Sequence, residues 1–383
     1  MGLSPAAPLS ASLPVFPWDT LAEATATARA HSDGIVDLSV GTPVDPVAPL
    51  IREALAAASS APGYPTTAGT PTLRAAVVNA LQRRYGITGL ATDAVLPVIG
   101  TKEAIAWLPT LLNLTRDDVV VVPELAYPTY DVGVRLAGAE VVAADSLTQL
   151  GPRVPKLVYV NSPSNPTGAV LGVEHLRKVV QWARTRGALV ASDECYLGLG
   201  WDPEAVPVSV LHPSVCGGDH TGLLAIHSLS KTSTMAGYRA GFLAGDPAVV
   251  AELLAVRKHA GMMVPTPVQG AMVAALDDDE HASVQKARYA RRREVLLTAV
   301  RGAGFTVDHS EAGLYLWATR DEPCRDTVAS LAQLGILVAP GEFYGPRGAR
   351  HVRMALTATD ERIDAAAQRL ASSRLAPGGH PEG

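Results

Sequence analysis

A chain of 383 residues exceeds what one hydrophobic core ordinarily fills, so two domains are expected. With 48% hydrophobic and 18% charged residues, a net charge of −5 and no run of Lys or Arg, it offers no electrostatic footprint for nucleic acid. No apolar stretch approaches the length that spans a bilayer, which argues against membrane insertion.

The N-terminal MGLSPAAPLSASLP lacks the basic-then-hydrophobic order of a secretion signal. LPVFPW (13–18) cannot pair as an interior strand and reads as an arm lying across a neighbour. Six short apolar runs then read as buried strands: VVVV (119–122), EVVAA (140–144), KLVYVN (156–161), ALVASD (188–193), LLAIHS (223–228) and GFLAG (241–245). Amphipathic patterns lie between many of them, as in KEAIAWLPTLL (102–112), VEHLRKVVQWARTRG (173–187) and PAVVAELLAVRK (247–258). Near-continuous apolar strands alternating with helices predict an α/β fold, a mostly parallel sheet covered on both faces.

After about residue 275 the pattern changes. A long charged helix (280–304) precedes the short strands GLYLWA, ILVAP and HVRMAL, and TDERIDAAAQRLASSR closes the chain as a capped helix. The predicted division is an N-terminal arm and small-domain segment at 1–45, a large domain at 46–274, an α+β small domain at 275–375 and a disordered tail at 376–383. The basic cluster ARYARRRE (287–294) is expected to form a solvated helix face. Cys195, Cys216 and Cys324 are few, odd in number and far apart, which fits a cytoplasmic setting better than a disulfide framework. With no His or Cys ligand spacing, no metal is expected.

Polar residues collect just after the strand ends, where open α/β sheets bind ligands. Lys231 follows LLAIHS. Alone it is a surface lysine, but Ser228 and Arg239 flank it with a hydroxyl and a bidentate cation suited to a phosphate monoester. In VIGTKEAIAWL, Gly100 follows a strand and opens a helix, so the N–H groups of Thr101 and Lys102 are free to cradle an anion, although such a glycine is often only a tight turn. Asp193 ends a buried strand and needs a cation, a protonated pyridine nitrogen for example; a turn cap competes with that reading. NSPSNPTG (161–168) fixes an irregular loop that presents Asn165. Tyr127, before Pro128, offers a ring to stack on a flat ligand, with core packing an equal alternative.

The ordered set SPSNPTG, SDECY, SLSK…GYR…G and HVRMAL resembles the class I/II aminotransferases of fold type I, over nearly the whole chain. That resemblance implies pyridoxal 5′-phosphate (PLP) as cofactor and amino acid and 2-oxo acid substrates exchanged by a ping-pong route. It implies Lys231 as the Schiff-base lysine and proton shuttle, and Asp193 as partner of the pyridine nitrogen. Asn165 and Tyr196 would bond the phenolic oxygen, and Tyr127 would stack on the ring. Ser228, Arg239, Gly100, Thr101 and Lys102 would hold the phosphate. Tyr64 would reach the phosphate of the other subunit, which implies a homodimer. Arg353 would clamp the substrate α-carboxylate, with Gly41 and Asn165 beside it.

Within the family, FPWDTL, DLSVGTPVDPV, PGYPTTAGTP and ALTATDERI resemble actinobacterial N-succinyldiaminopimelate aminotransferases of lysine biosynthesis, which use glutamate and 2-oxoglutarate. Such relatives usually read Ser-Lys-Arg-Ser-Asn after the strand, whereas Lys231 is followed here by Thr232, Ser233 and Thr234. That departure beside the lysine keeps a second reading open: PLP-dependent β- or γ-elimination or replacement in a secondary-metabolite pathway.

Overall fold

The computed structural model describes residues 9–372, so the tail at 376–383 lies outside the described residues. Strand β1 (Val36–Asp37) comes first. Seven strands then form the main sheet: β2 (Val95–Ile99), β3 (Val119–Val122), β4 (Glu140–Ala143), β5 (Leu157–Asn161), β6 (Leu189–Asp193), β7 (Leu223–Ser228) and β8 (Ala240–Gly245). Their order is β2-β8-β7-β6-β5-β3-β4. The β4-β3-β5-β6-β7 stretch is parallel throughout, as expected for strands buried on both faces.

Alternate residues of one strand feed two different cores. Val120, Val122, Leu157 and Tyr159 belong to the cluster on one face, and Val121, Val158 and Val160 to the cluster on the other. Helices such as Thr101–Leu111 and Thr129–Ala137 cover the first face, and Pro71–Tyr85 and Val173–Arg186 cover the second.

The GFLAG strand departs from the parallel pattern. β8 runs antiparallel to both β7 and β2. Residues 229–239, which join β7 to β8, hold only the short turn Ala236–Tyr238, too little for the helical crossover that a parallel return requires. β2, which contains Pro97, is an edge strand, where a missing N–H is tolerated.

In the C-terminal half, β9 (Thr306–Asp308), β10 (Tyr315–Thr319), β12 (Ala339–Pro340) and β13 (His351–Ala355) form an antiparallel sheet in the order β12-β13-β10-β9. β11 (Ile336–Leu337) pairs in parallel with β1, tying the N-terminal segment to this half.

The basic cluster on helix Glu280–Gly302 is not uniformly solvated. Arg292 is buried, with ion pairs of 2.6 Å to both Asp45 and Asp360. Arg293 bonds the hydroxyl and carbonyl of Ser310, while Arg291 pairs with Asp360 and Asp364 nearer the surface. Two carboxylates offset the cost of burying one guanidinium, which is why a charge run faces inward here.

Candidate active site

At the carboxyl ends of β6 and β7 lies a cavity of about 900 Å³. Its walls include Gly41, Thr101, Lys102, Tyr127, Asn165, Asp193, Tyr196, Ser228, Lys231, Arg239 and Arg353. Residues from seven separate stretches of sequence thus meet in one space. Gly100 adjoins it behind Arg239. Tyr64 does not line it; its side chain is fully exposed on the surface.

The Lys231 ammonium donates to the carbonyl of Gly41. Burial pushes its pKa below the usual lysine range, and Arg353 and Arg239 add to that shift against the opposing influence of Tyr315 and Cys195. Gly41 itself is sterically fixed: a Cβ there would stand 2.2 Å from the Tyr315 hydroxyl.

Asp193 is buried at the end of β6. Its Oδ2 accepts a 2.7 Å hydrogen bond from the Tyr130 hydroxyl, and its Oδ1 accepts from the Cys195 N–H at 3.2 Å. Burial raises its pKa, while the bonds from Cys195 and Tyr130 oppose that rise. A cation placed in the cavity beside it would complete the set. Tyr127 packs edge-on against Tyr130, with ring centroids 6.0 Å apart, and burial lifts its phenol to about 12.

Gly100 caps helix Thr101–Leu111 without any side-chain cap, leaving the first N–H groups free. Its φ of 74° lies in the left-handed region, and a Cβ there would come within 2.3 Å of Arg239 Nη2. Glycine therefore lets the guanidinium close over the helix start. Ser228 ends β7 on the same side of the cavity.

Arg353, on β13, is 3% exposed. Its Nη1 donates to Asn165 Oδ1 at 2.9 Å and its Nη2 to the Ser39 carbonyl at 2.7 Å. The guanidinium stacks 3.9 Å above the Tyr315 ring. Among the described residues no carboxylate is found as a partner of Arg353, whose Nε has no hydrogen-bond partner. A buried cation with no counter-charge invites an anion. Asn165 is positioned through its own N–H, which donates to Asn161 Oδ1 at 2.8 Å.

Two contributors were not legible in the sequence. Tyr130 supports Asp193 from within the first turn of helix Thr129–Ala137. Tyr315 lines the cavity from β10 and lies 3.0 Å, hydroxyl to hydroxyl, from Tyr196. A further surprise is LPVFPW: residues 13–18 line the cavity of their own chain, with Trp18 5.4 Å from Phe343, ring to ring, and Lys102 over the Phe16 ring.

Residues 33–370 match the family described as aminotransferase class I and II. A probable aminotransferase of Mycobacterium tuberculosis, Rv1178, is 75% identical over 371 residues, covering 97% of this chain and 88% of the relative. OxyQ of Streptomyces rimosus, a 4-dedimethylamino-4-oxo-anhydrotetracycline transaminase, is 59% identical over 94% of this chain and 99% of its own length. The solved structure of a probable N-succinyldiaminopimelate aminotransferase from Thermus thermophilus superposes with a TM-score of 0.83 at 27% identity, covering 93% of this chain and 99% of that one. Members of the family use PLP. The donors present fit that cofactor: a buried carboxylate awaiting a cation, an uncapped helix start with Arg239 against it, and a lysine of lowered pKa share one cavity.

Proposed function

Because the chain belongs to the class I and II aminotransferases, we propose that it moves an amino group between an amino acid and 2-oxoglutarate in two half-reactions, with N-succinyl-LL-2,6-diaminopimelate as the amino acid. The observation that carries this reading is Arg353, a buried guanidinium without a carboxylate partner in the cavity that Lys231 enters. Every substrate of such an exchange brings an α-carboxylate to that position.

Bound PLP supplies an electron sink that acidifies the substrate Cα–H. Lys231, its amine favoured neutral by burial, takes that proton and returns one in the reverse direction. Arg353 and the Gly41 backbone orient the α-carboxylate so that Cα faces Lys231, which lowers the entropic cost of the transfer. Asp193 holds a protonated ring nitrogen, Asn165 and Tyr196 bond the phenolic oxygen, and Tyr127 stacks on the ring. Ser228, Arg239 and the backbone at Gly100, Thr101 and Lys102 would hold the phosphate. In a cytoplasmic homodimer the exposed Tyr64 reaches the phosphate of the partner's site.

The similarity to OxyQ, together with the mostly apolar wall contributed by residues 13–18, supports a second acceptor class: a larger cyclic ketone. An amino-donor screen tests whether the chemistry is amino transfer. The protein reconstituted with PLP is mixed with glutamate or N-succinyl-diaminopimelate, and the visible band and the oxo-acid product are followed. Loss of the band with stoichiometric 2-oxoglutarate supports the proposal. Release of ammonia together with an oxo acid, the visible band persisting, would overturn it in favour of elimination chemistry.

A further inference from the structure

Two buried titratable groups stand directly behind the site and take no part in the steps above. Glu194 follows Asp193, and His227 precedes Ser228. Each therefore adjoins a cavity residue in sequence while lying outside the large cavity itself. Glu194 is 2% exposed and His227 5%. Glu194 Oε1 accepts from the Val210 N–H at 2.8 Å, and its Oε2 lies 3.3 Å from His227 Nε2. Neither Oε2 nor Nε2 has any other partner among the described residues. The imidazole is stacked between Phe242, 5.0 Å away, and Tyr85, 6.2 Å away, so the ring cannot swing to another acceptor.

The surroundings supply no cation to offset an ionised Glu194. Arg84 is the nearest guanidinium lining the space, and it is engaged with Asp279 at 2.6 Å and with the carbonyls of Ala275, Leu276 and Asp278. The other titratable groups facing the pair are Tyr85 on the same helix and Asp193 and Cys195 in the adjoining turn; Ser192 and Ser209 add hydroxyls. The space beside the pair is about 20 Å³, room for one water at most, so bulk solvent does not screen it. An anionic Glu194 would place a second buried negative charge one residue from Asp193.

We propose that Glu194 and His227 together hold one proton on the acid side of neutrality, carried on Glu194 and donated to His227 Nε2, so that Asp193 is then the only anion at this end of β6. The pair is a positioning element: it touches neither substrate nor cofactor and acts through the charge that Asp193 experiences. Burial supports the assignment, lifting Glu194 to about 7 and dropping His227 to about 3. The signs bound a window. The folded state's preference for protonated Glu194 is lost as pH rises through about 7, and its preference for neutral His227 is lost as pH falls toward about 3.

The inference rests on the aminotransferase reading for its purpose, but its test does not. Infrared difference spectra of the apoprotein between acidic and alkaline pH should show a buried carboxylic-acid carbonyl band that disappears as pH rises. E194Q should lack that band, whereas D193N should retain it. Should E194Q fail to fold, histidine-labelled wild-type apoprotein gives an independent reading: the His227 imidazole should remain neutral through neutral pH and shift as the carboxyl titrates. After reconstitution with PLP, E194Q should lower the alkaline midpoint of the bound cofactor's visible band by about one pH unit, because no second negative charge develops nearby. A band unchanged in E194Q, or an imidazolium signal for His227 at neutral pH, overturns the proposal and leaves the amino-donor result untouched.

Discussion

The hydroxyl of Tyr130 donates to Oδ2 of Asp193 across 2.7 Å, linking the first turn of helix Thr129–Ala137 to the last residue of β6. This bond favours the carboxylate form against a burial penalty that works the other way. Tyr130→Phe should therefore leave Asp193 undersupported and weaken PLP affinity by about 1–2 kcal/mol, roughly tenfold. Spectroscopic titration of the apoprotein with PLP measures this. Equal affinity in the variant would show that Asp193 needs no such support.

Thr234 sits in the left-handed region with φ 53°, a conformation that costs a β-branched residue about 1–2 kcal/mol and suits asparagine far better. Thr234→Asn should stabilise the fold by about 1 kcal/mol, read as a higher urea midpoint at unchanged slope. A lower midpoint would mean that the weak 3.4 Å contact of the Thr234 hydroxyl with the Pro46 carbonyl outweighs the backbone strain.

Arg353 is held in place by Asn165, Ser39 and the Tyr315 ring rather than by a carboxylate. Lysine reproduces the charge but neither the planar fork nor the stack. Arg353→Lys should raise KM for the amino acid about a hundredfold, roughly 2.7 kcal/mol, while PLP still binds. A variant with unchanged KM would remove Arg353 from substrate recognition.

The lowered pKa of Lys231 gives a pH signature in the apoprotein. Its neutral amine is present above the depressed pKa and is lost as pH falls through it, at a lower pH than for exposed lysines. Competitive labelling with an amine-reactive reagent, mapped by mass spectrometry across a pH series, should show Lys231 gaining reactivity at a lower pH than the other lysines. Labelling of Lys231 only together with them, at alkaline pH, would contradict the burial argument.

Many of the residues legible in the sequence punctuate the ends of apolar strands, as Gly100 does after β2, Asp193 at the end of β6 and Ser228 at the end of β7. Asn161 and Asp193 are register partners at neighbouring strand ends, so two motifs read separately in sequence are adjacent in space. Tyr130 and Tyr315 escaped notice because a tyrosine in a helix turn or a strand carries no local mark; only the tertiary fold aims its hydroxyl. Arg292 failed for the same reason in reverse, since its partners Asp45 and Asp360 are remote in sequence. The arm at 13–18 could be recognised as non-strand from its prolines, yet nothing local says which surface it covers.

The central claim is that Lys231 is the amine that anchors the cofactor. Borohydride reduction of the protein reconstituted with PLP, followed by peptide mapping, tests it most directly. A pyridoxyl adduct is expected on the peptide containing Lys231, and neither adduct nor turnover in Lys231→Ala. An adduct confined to another lysine, or a Lys231→Ala protein that still turns over substrate, would contradict it.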